Sequence, residues 1–430
     1  MIFLLLLIIF ILLLLKYNFI PNYSTPYVLS PDIIVMGVFI ISLLVASLNY
    51  SLWGDISETT FFVVLLSLMM FNFGSFVVRK NSKIHTKPIL ERKTITQKVI
   101  LIVILYMAIV TYLDYKDMVA IAGQEGLGLF ALIALARKNL YIEDTAVEHS
   151  ALLFQCLYIC RAFSYLFIYI ICYKKVFFNE KVGILYYIPI VIYVIQALLS
   201  TGRTDFIYLT YTIIIISYLL IKAKRGWTPK KETAFFKYIS GGLFIFVIIF
   251  LLLGSNRSTE ELDIGHSVRN YMGSSIMAYD WYLNHYGTNA TASFWGEQTM
   301  LLYYSIAKSL GLTKLTGVAV LPECYVGGEM TNIYTCLYRY THDYGIYVMF
   351  IILFFLGYLY TSFFYDIKNK SRVGLSIIIY AYLSCPLVEF AIEERFMSTM
   401  LSTRTFYCCI YMAILYKLFI RKNEIKLSCK

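Results

Sequence analysis

Arg339, His342 and Asp343 fall within five residues of one another and supply a permanent cation, an imidazole and a carboxylate. An attacking hydroxyl needs a base or a strong hydrogen-bond acceptor, and His342 or Asp343 can fill that role. Glu297, earlier in the same non-apolar region, is a third candidate. Arg339 and Asp343 are four residues apart and share a face if the stretch is helical. A carboxylate near a helix start is favourable without any catalytic role, which accounts for Asp343 but not for Arg339 and His342.

A second cluster is the hexapeptide Ser200-Thr201-Gly202-Arg203-Thr204-Asp205. Apolar runs of membrane-crossing length, Val182–Leu199 and Phe206–Ile221, lead into it and away from it. The turn between them must be tight, and Gly202 supplies the backbone freedom for a reversal. Thr201, Thr204 and Asp205 complete the turn. Arg203 is then held at the membrane surface, where a guanidinium suits an anion at the same depth, such as a lipid-linked diphosphate. An arginine snorkelling to the headgroups and an aspartate starting a helix also fit these two positions. Arg257 and Arg269, with Arg339, are further cations of the same kind.

These residues need a membrane bundle to position them. The chain has 430 residues, 60% hydrophobic and 15% charged, against ~25% charged in soluble domains. The net charge of +11 resides in short loops between apolar runs, which is the positive-inside pattern and not a nucleic-acid surface. About eleven spans are expected: Ile2–Leu15, Ile33–Leu48, Thr60–Val78, Val99–Leu113, Ala151–Tyr173, the two runs flanking Arg203, Gly242–Leu253, Gly345–Phe364, Val373–Phe390 and Phe406–Ile420. The basic segments Arg79–Lys98, Lys174–Lys181, Lys222–Lys237 and Arg421–Lys430 mark the cytoplasmic side. Val119–Ala136 reads as a re-entrant or surface-lying segment. The expected architecture is all-α, with residues 1–430 forming a single integral membrane domain that includes a long extracytoplasmic loop, 254–343. That loop reads as short helices, including Val268–Tyr286 and Glu297–Leu310. Arg161 sits near the middle of a span, where a charge faces the bundle interior or a neighbouring helix.

Soluble-enzyme signals are absent. There is no P-loop and no His-Glu-x-x-His, and the first outer connection has Asp55 and Glu58 but no Asp-x-Asp pair. No cofactor or metal is indicated. Among the nine cysteines, Cys156 and Cys160 read as packing residues. Cys324 and Cys336 share an outer loop and could be bridged in an oxidising compartment.

Two stretches resemble a known family. The Thr-Gly-Arg-Thr-Asp turn between two mid-chain spans, the long outer loop, and then Asn332-Ile333-Tyr334-Thr335 running on to Tyr338-Arg339-Tyr340-Thr341-His342-Asp343-Tyr344-Gly345 are similar to Wzy-type polymerases of O-antigen and capsular polysaccharide. The resemblance covers the span pattern and roughly Leu199–Tyr208 and Asn332–Val348. The family's usual Asp-Phe-Gly is Asp343-Tyr344-Gly345 here. The resemblance implies a metal-independent glycosyltransferase of the bacterial cytoplasmic membrane, facing the periplasm or exterior. Its donor and acceptor are undecaprenyl-diphosphate-linked oligosaccharides, with a chain-length regulator as an optional partner. In that reading His342, Asp343 and Glu297 are the catalytic candidates, and Arg203, Arg339, Arg269 and Arg257 face the donor diphosphate. Alternatives are an O-antigen ligase and a flippase of lipid-linked oligosaccharide. A transporter tends to place ionisable residues at mid-span in matching halves, whereas here the polar load lies in one outer loop.

Overall fold

The computed structural model describes residues 1–18, 27–80, 91–124, 126–141, 150–200, 204–227, 269–369 and 373–424. They are mostly helical, as expected. Among them, six helices are long and apolar enough to cross a membrane: Pro31–Leu48, Glu58–Lys80, Gln97–Ala122, Ala151–Phe178, Thr204–Lys224 and Cys336–Asn369. Each contains one of the expected spans or most of it. Ile2–Leu15, Ile184–Leu199 and Leu375–Val388 are shorter apolar helices, and Thr403–Phe419 has 17 residues. The span expected at 242–253 lies outside the described residues. Two small antiparallel ladders depart from the all-α expectation.

The chain divides into two compact units. The first comprises Met1–Ile84, Asp263–Asn369 and Leu383–Thr405. Its longer helices are α1 (Ile2–Asn18), α2 (Pro31–Leu48), α3 (Glu58–Lys80), α4 (Ser274–Tyr286), α5 (Leu301–Ser309) and α6 (Cys336–Asn369), with a hairpin of β1 (Cys324–Val326) and β2 (Glu329–Thr331). Helices α3 and α6 form its centre. They touch backbone to backbone, because a Cβ on Gly74 would lie 2.0 Å from the Phe354 carbonyl oxygen and one on Gly357 would lie 2.0 Å from that of Phe71. Lipid offers no hydrophobic drive between helices, so small residues that permit such close approach set the pairing. Thr361 Oγ1 donates to Ser75 Oγ at 2.9 Å beside this contact. At one end of the unit Arg79 is ion-paired with the buried Asp32. At the other, Asp280 of α4 accepts from the Ser57 amide and hydroxyl at 2.8 and 2.7 Å, just before α3 begins.

The second unit comprises His85–Leu262, Lys370–Tyr382 and Phe406–Lys430. Here the region Val119–Ala136 forms a helical hairpin. The Gln97–Ala122 helix ends where Gly123 adopts φ 68°, a left-handed cap whose amide bonds back to Val119 and Ala120. The chain reverses and the Leu129–Tyr141 helix packs back, burying Met118, Ile121, Ala122, Leu132 and Ala136 together. All four of the expected cytoplasmic segments meet on one side of this unit, each through described residues. Glu91–Thr94 pairs antiparallel with Arg421–Glu424. Arg92 bridges to Glu180 at 2.8 Å, and the Lys224 ammonium donates to the Val176 carbonyl.

Candidate functional site

The site grows from a break in α6. Gly345 has φ 76° and ψ 168°, so the helix is interrupted between Asp343 and its apolar continuation. That conformation is open essentially to glycine alone. The break leaves the His342 carbonyl without its helical donor, because the Ile346 amide turns away to the Thr288 carbonyl at 3.0 Å. The amides of Thr291 and Ala292 take its place on His342 at 2.9 and 3.0 Å. The loop 288–299 is thereby clamped by its backbone onto the interrupted helix.

Asp343 closes the clamp. Its side chain is fully buried and accepts from the Gln298 amide at 3.0 and 3.1 Å, and from the Thr299 amide and hydroxyl at 2.8 and 2.7 Å. The Thr299 hydroxyl donates to Asp343, so its partner at 2.6 Å, the Tyr344 hydroxyl, is the donor to it. His342 Nδ1 lies 3.0 Å from Asp343 Oδ1. Asp343 acts as acceptor in all its other bonds, so Nδ1 is the donor, and in the neutral imidazole Nε2 carries the lone pair. An imidazole held in one tautomer by a buried carboxylate is the arrangement of a positioned general base. Tyr282, on α4, bonds to the Thr291 hydroxyl at 2.7 Å. Burial pushes the Tyr282 phenol above its ordinary value against the pull of that bond, and the nearby Asp343 adds to the rise.

Arg339 lies one turn earlier and is 3% exposed. Its guanidinium donates to the carbonyls of Gln298 at 3.0 Å, Val318 at 3.4 Å and Ala319 at 2.8 Å, and to Glu393 Oε1 at 3.0 Å. Arg339 therefore ties two loop segments and a glutamate to the helix, and its fork is committed to protein atoms. Glu393 also pairs with Arg395 at 2.5 Å. The buried Glu394 accepts from Tyr340 at 2.8 Å and from the Met397 and Ser398 amides at 2.7 and 2.9 Å. Glu393-Glu394-Arg395 is not among the sequence candidates; three consecutive charges closing an apolar run are the signal that marks this second polar layer.

The other sequence candidates divide. Glu297 turns back on its own loop, accepting from the Ser293 amide at 2.9 Å. Arg269 pairs with Glu329 on β2 at 3.3 Å. In the second unit Asp205 pairs with the mid-span Arg161 at 2.5 Å, both largely buried. Thr204 opens the helix that carries Asp205. Thr201, Gly202, Arg203 and Arg257 lie outside the described residues. Cys324 and Cys336 are free thiols. Burial pushes the Cys324 thiol up, which makes its reactive thiolate scarce. No family model, curated protein or solved structure matches the chain.

Proposed function

We propose that the chain is a membrane glycosyltransferase that polymerises undecaprenyl-diphosphate-linked oligosaccharide repeat units at the outer leaflet of the bacterial cytoplasmic membrane. The observation that carries this reading is the His342–Asp343 pair, built into a pinned loop where α6 is interrupted. In the proposed step His342 Nε2 removes the proton from a hydroxyl of the incoming repeat unit. The freed oxygen bonds to the anomeric carbon of the growing glycan, and that carbon's bond to the carrier's diphosphate breaks. An exposed aromatic ring beside the site, Trp295, packed on Tyr344, offers a face for a sugar ring. Arg203 remains the sequence's first candidate for the leaving diphosphate, because Arg339 is occupied in holding the site together.

Deletion of the gene tests the reading. Single repeat units on the carrier or on the final acceptor, with loss of long chains, are expected. Full-length polymer in the deletion strain, with no paralogue to make it, ends the proposal. Long lipid-linked chains left unattached point instead to a ligase.

A further inference from the structure

The segment between Thr299 and Val318 is tied down at both ends yet presents apolar side chains outward. At its start the Gln298 and Thr299 amides are held by Asp343. At its end the Val318 amide bonds to the Glu297 carbonyl at 2.8 Å, and Arg339 holds the Val318 and Ala319 carbonyls. Between these ties, α5 and the loop after it expose Tyr303, Ile306, Leu310, Leu312 and Leu315, with Val320 just beyond. Leu312 and Val320 are 76% and 75% exposed. A pinned surface of this apolar character is unfavourable in water and marks a place where something covers it.

The charge pattern indicates what covers it. Residues 298–322 contain Lys308 and Lys314 and no Asp or Glu. A short helix with outward apolar side chains and lysines among them suits the boundary between headgroups and acyl chains, with the ammonium groups among anionic lipids. The loop that leads into this face is also tied to a helix of membrane-crossing length. The clamp at Gly345 joins loop 288–299 to α6 just where that helix begins to expose Tyr347, Ile351 and Phe355, the outward side of a helix long and apolar enough to span.

We infer that residues 301–320 form an interfacial anchor that lies in the lipid bilayer surface and fixes the depth of the Asp343–His342 site. The anchor begins two residues after Thr299, so the depth of one sets the depth of the other. If the polymerase reading holds, that is also the depth of the carrier's diphosphate. The anchor itself stands without that reading, because its test does not read activity.

The test places a nitroxide at Ile306→Cys, Leu312→Cys and Val320→Cys, one at a time, in the full chain reconstituted into vesicles containing phosphatidylglycerol. Glu323→Cys, at an exposed polar position, is the aqueous control, and the unsubstituted chain supplies the labelling background. All four positions are exposed, so the label does not enter the core. The expected result is relaxation by oxygen exceeding that by a water-soluble nickel chelate at 306, 312 and 320, and the reverse at 323. Equal access of the chelate to all four positions overturns the anchor. So does strong spin–spin broadening at 312 or 320 that persists in detergent, since that identifies a second copy of the chain as the cover.

Discussion

At the residue scale, Arg339 and His342 are close in sequence but differ in what their side chains can do. Arg339 spends its donors on three carbonyls and Glu393, whereas His342 spends Nδ1 on Asp343 and keeps Nε2. Removing Arg339 strands buried carbonyls, at ~1–3 kcal/mol for each group left unsatisfied. Arg339→Ala is therefore expected to lower the melting temperature of the detergent-solubilised protein along with its activity, and Arg339→Lys to rescue little, because an ammonium cannot span the same partners. His342→Gln should leave the melting temperature nearly unchanged and cut polymerisation ~10²–10⁴-fold, the usual contribution of a general base. Thermal melting with polymer assays at matched membrane level checks both. A stable but inactive Arg339→Ala would return Arg339 to the diphosphate, and an active His342→Gln would remove the base. The sequence made these residues visible as a group. It could not rank them, because the atoms that occupy Arg339 come from Gln298, Val318, Ala319 and Glu393, distant along the chain. Glu297 was attractive as a carboxylate in the right loop, but its loop folds so that the Ser293 amide is nearer than the site.

At the element scale, the interruption of α6 does what no side chain could. The sequence places the start of a span at Gly345, which is where the apolar lipid-facing run begins. That a helix also precedes the glycine, from Cys336 onward, enters only as a condition, through the four-residue spacing of Arg339 and Asp343. The reason is that Cys336–Tyr344 is buried mostly through tyrosines and polar groups with partners from distant segments, so its periodicity carries little apolar contrast. The same blindness applied to Val119–Ala136, where one glycine at φ 68° converts an apolar stretch into a hairpin. Close helix contact at Gly74 and Gly357 was also unmarked, because a glycine within a span has no distinctive neighbours. Gly345→Ala tests the interruption. A Cβ there meets a strained φ of 76° and sits 3.2 Å from the Ala290 amide nitrogen, and strain of this kind costs ~1–3 kcal/mol. The variant is expected to lose stability modestly and polymerisation more heavily, since relaxation toward regular helix frees the Ile346 amide from Thr288 and opens loop 288–299. Protease sensitivity of that loop in the purified protein reads the opening. Wild-type proteolysis with wild-type polymer would show that the bend does not hold the site.

At the scale of the whole molecule, the distribution of lysine and arginine was the most legible feature, because it follows from how chains insert and not from how side chains pack. Within the second unit the structure agrees in detail: Arg92 meets Glu180, Lys224 reaches Val176, and Glu91–Thr94 pairs with Arg421–Glu424. Segments joined by a backbone ladder and short ion pairs cannot lie on opposite faces of a bilayer. The charge bias predicts that this face is cytoplasmic and that the loop containing Glu323 is outside. Lys175→Cys and Glu323→Cys, both at exposed positions, check this with a membrane-impermeant maleimide on intact cells and on opened membranes. Label on Glu323→Cys in intact cells whose outer layer admits the reagent, and on Lys175→Cys only after opening, is the expected pattern. The reverse pattern would place His342 and Asp343 on the cytoplasmic side, where a transferase acting on exported lipid-linked sugars has no substrate. Label on both in intact cells would instead break the alternation between these loops, and with it the span order that the basic segments imply.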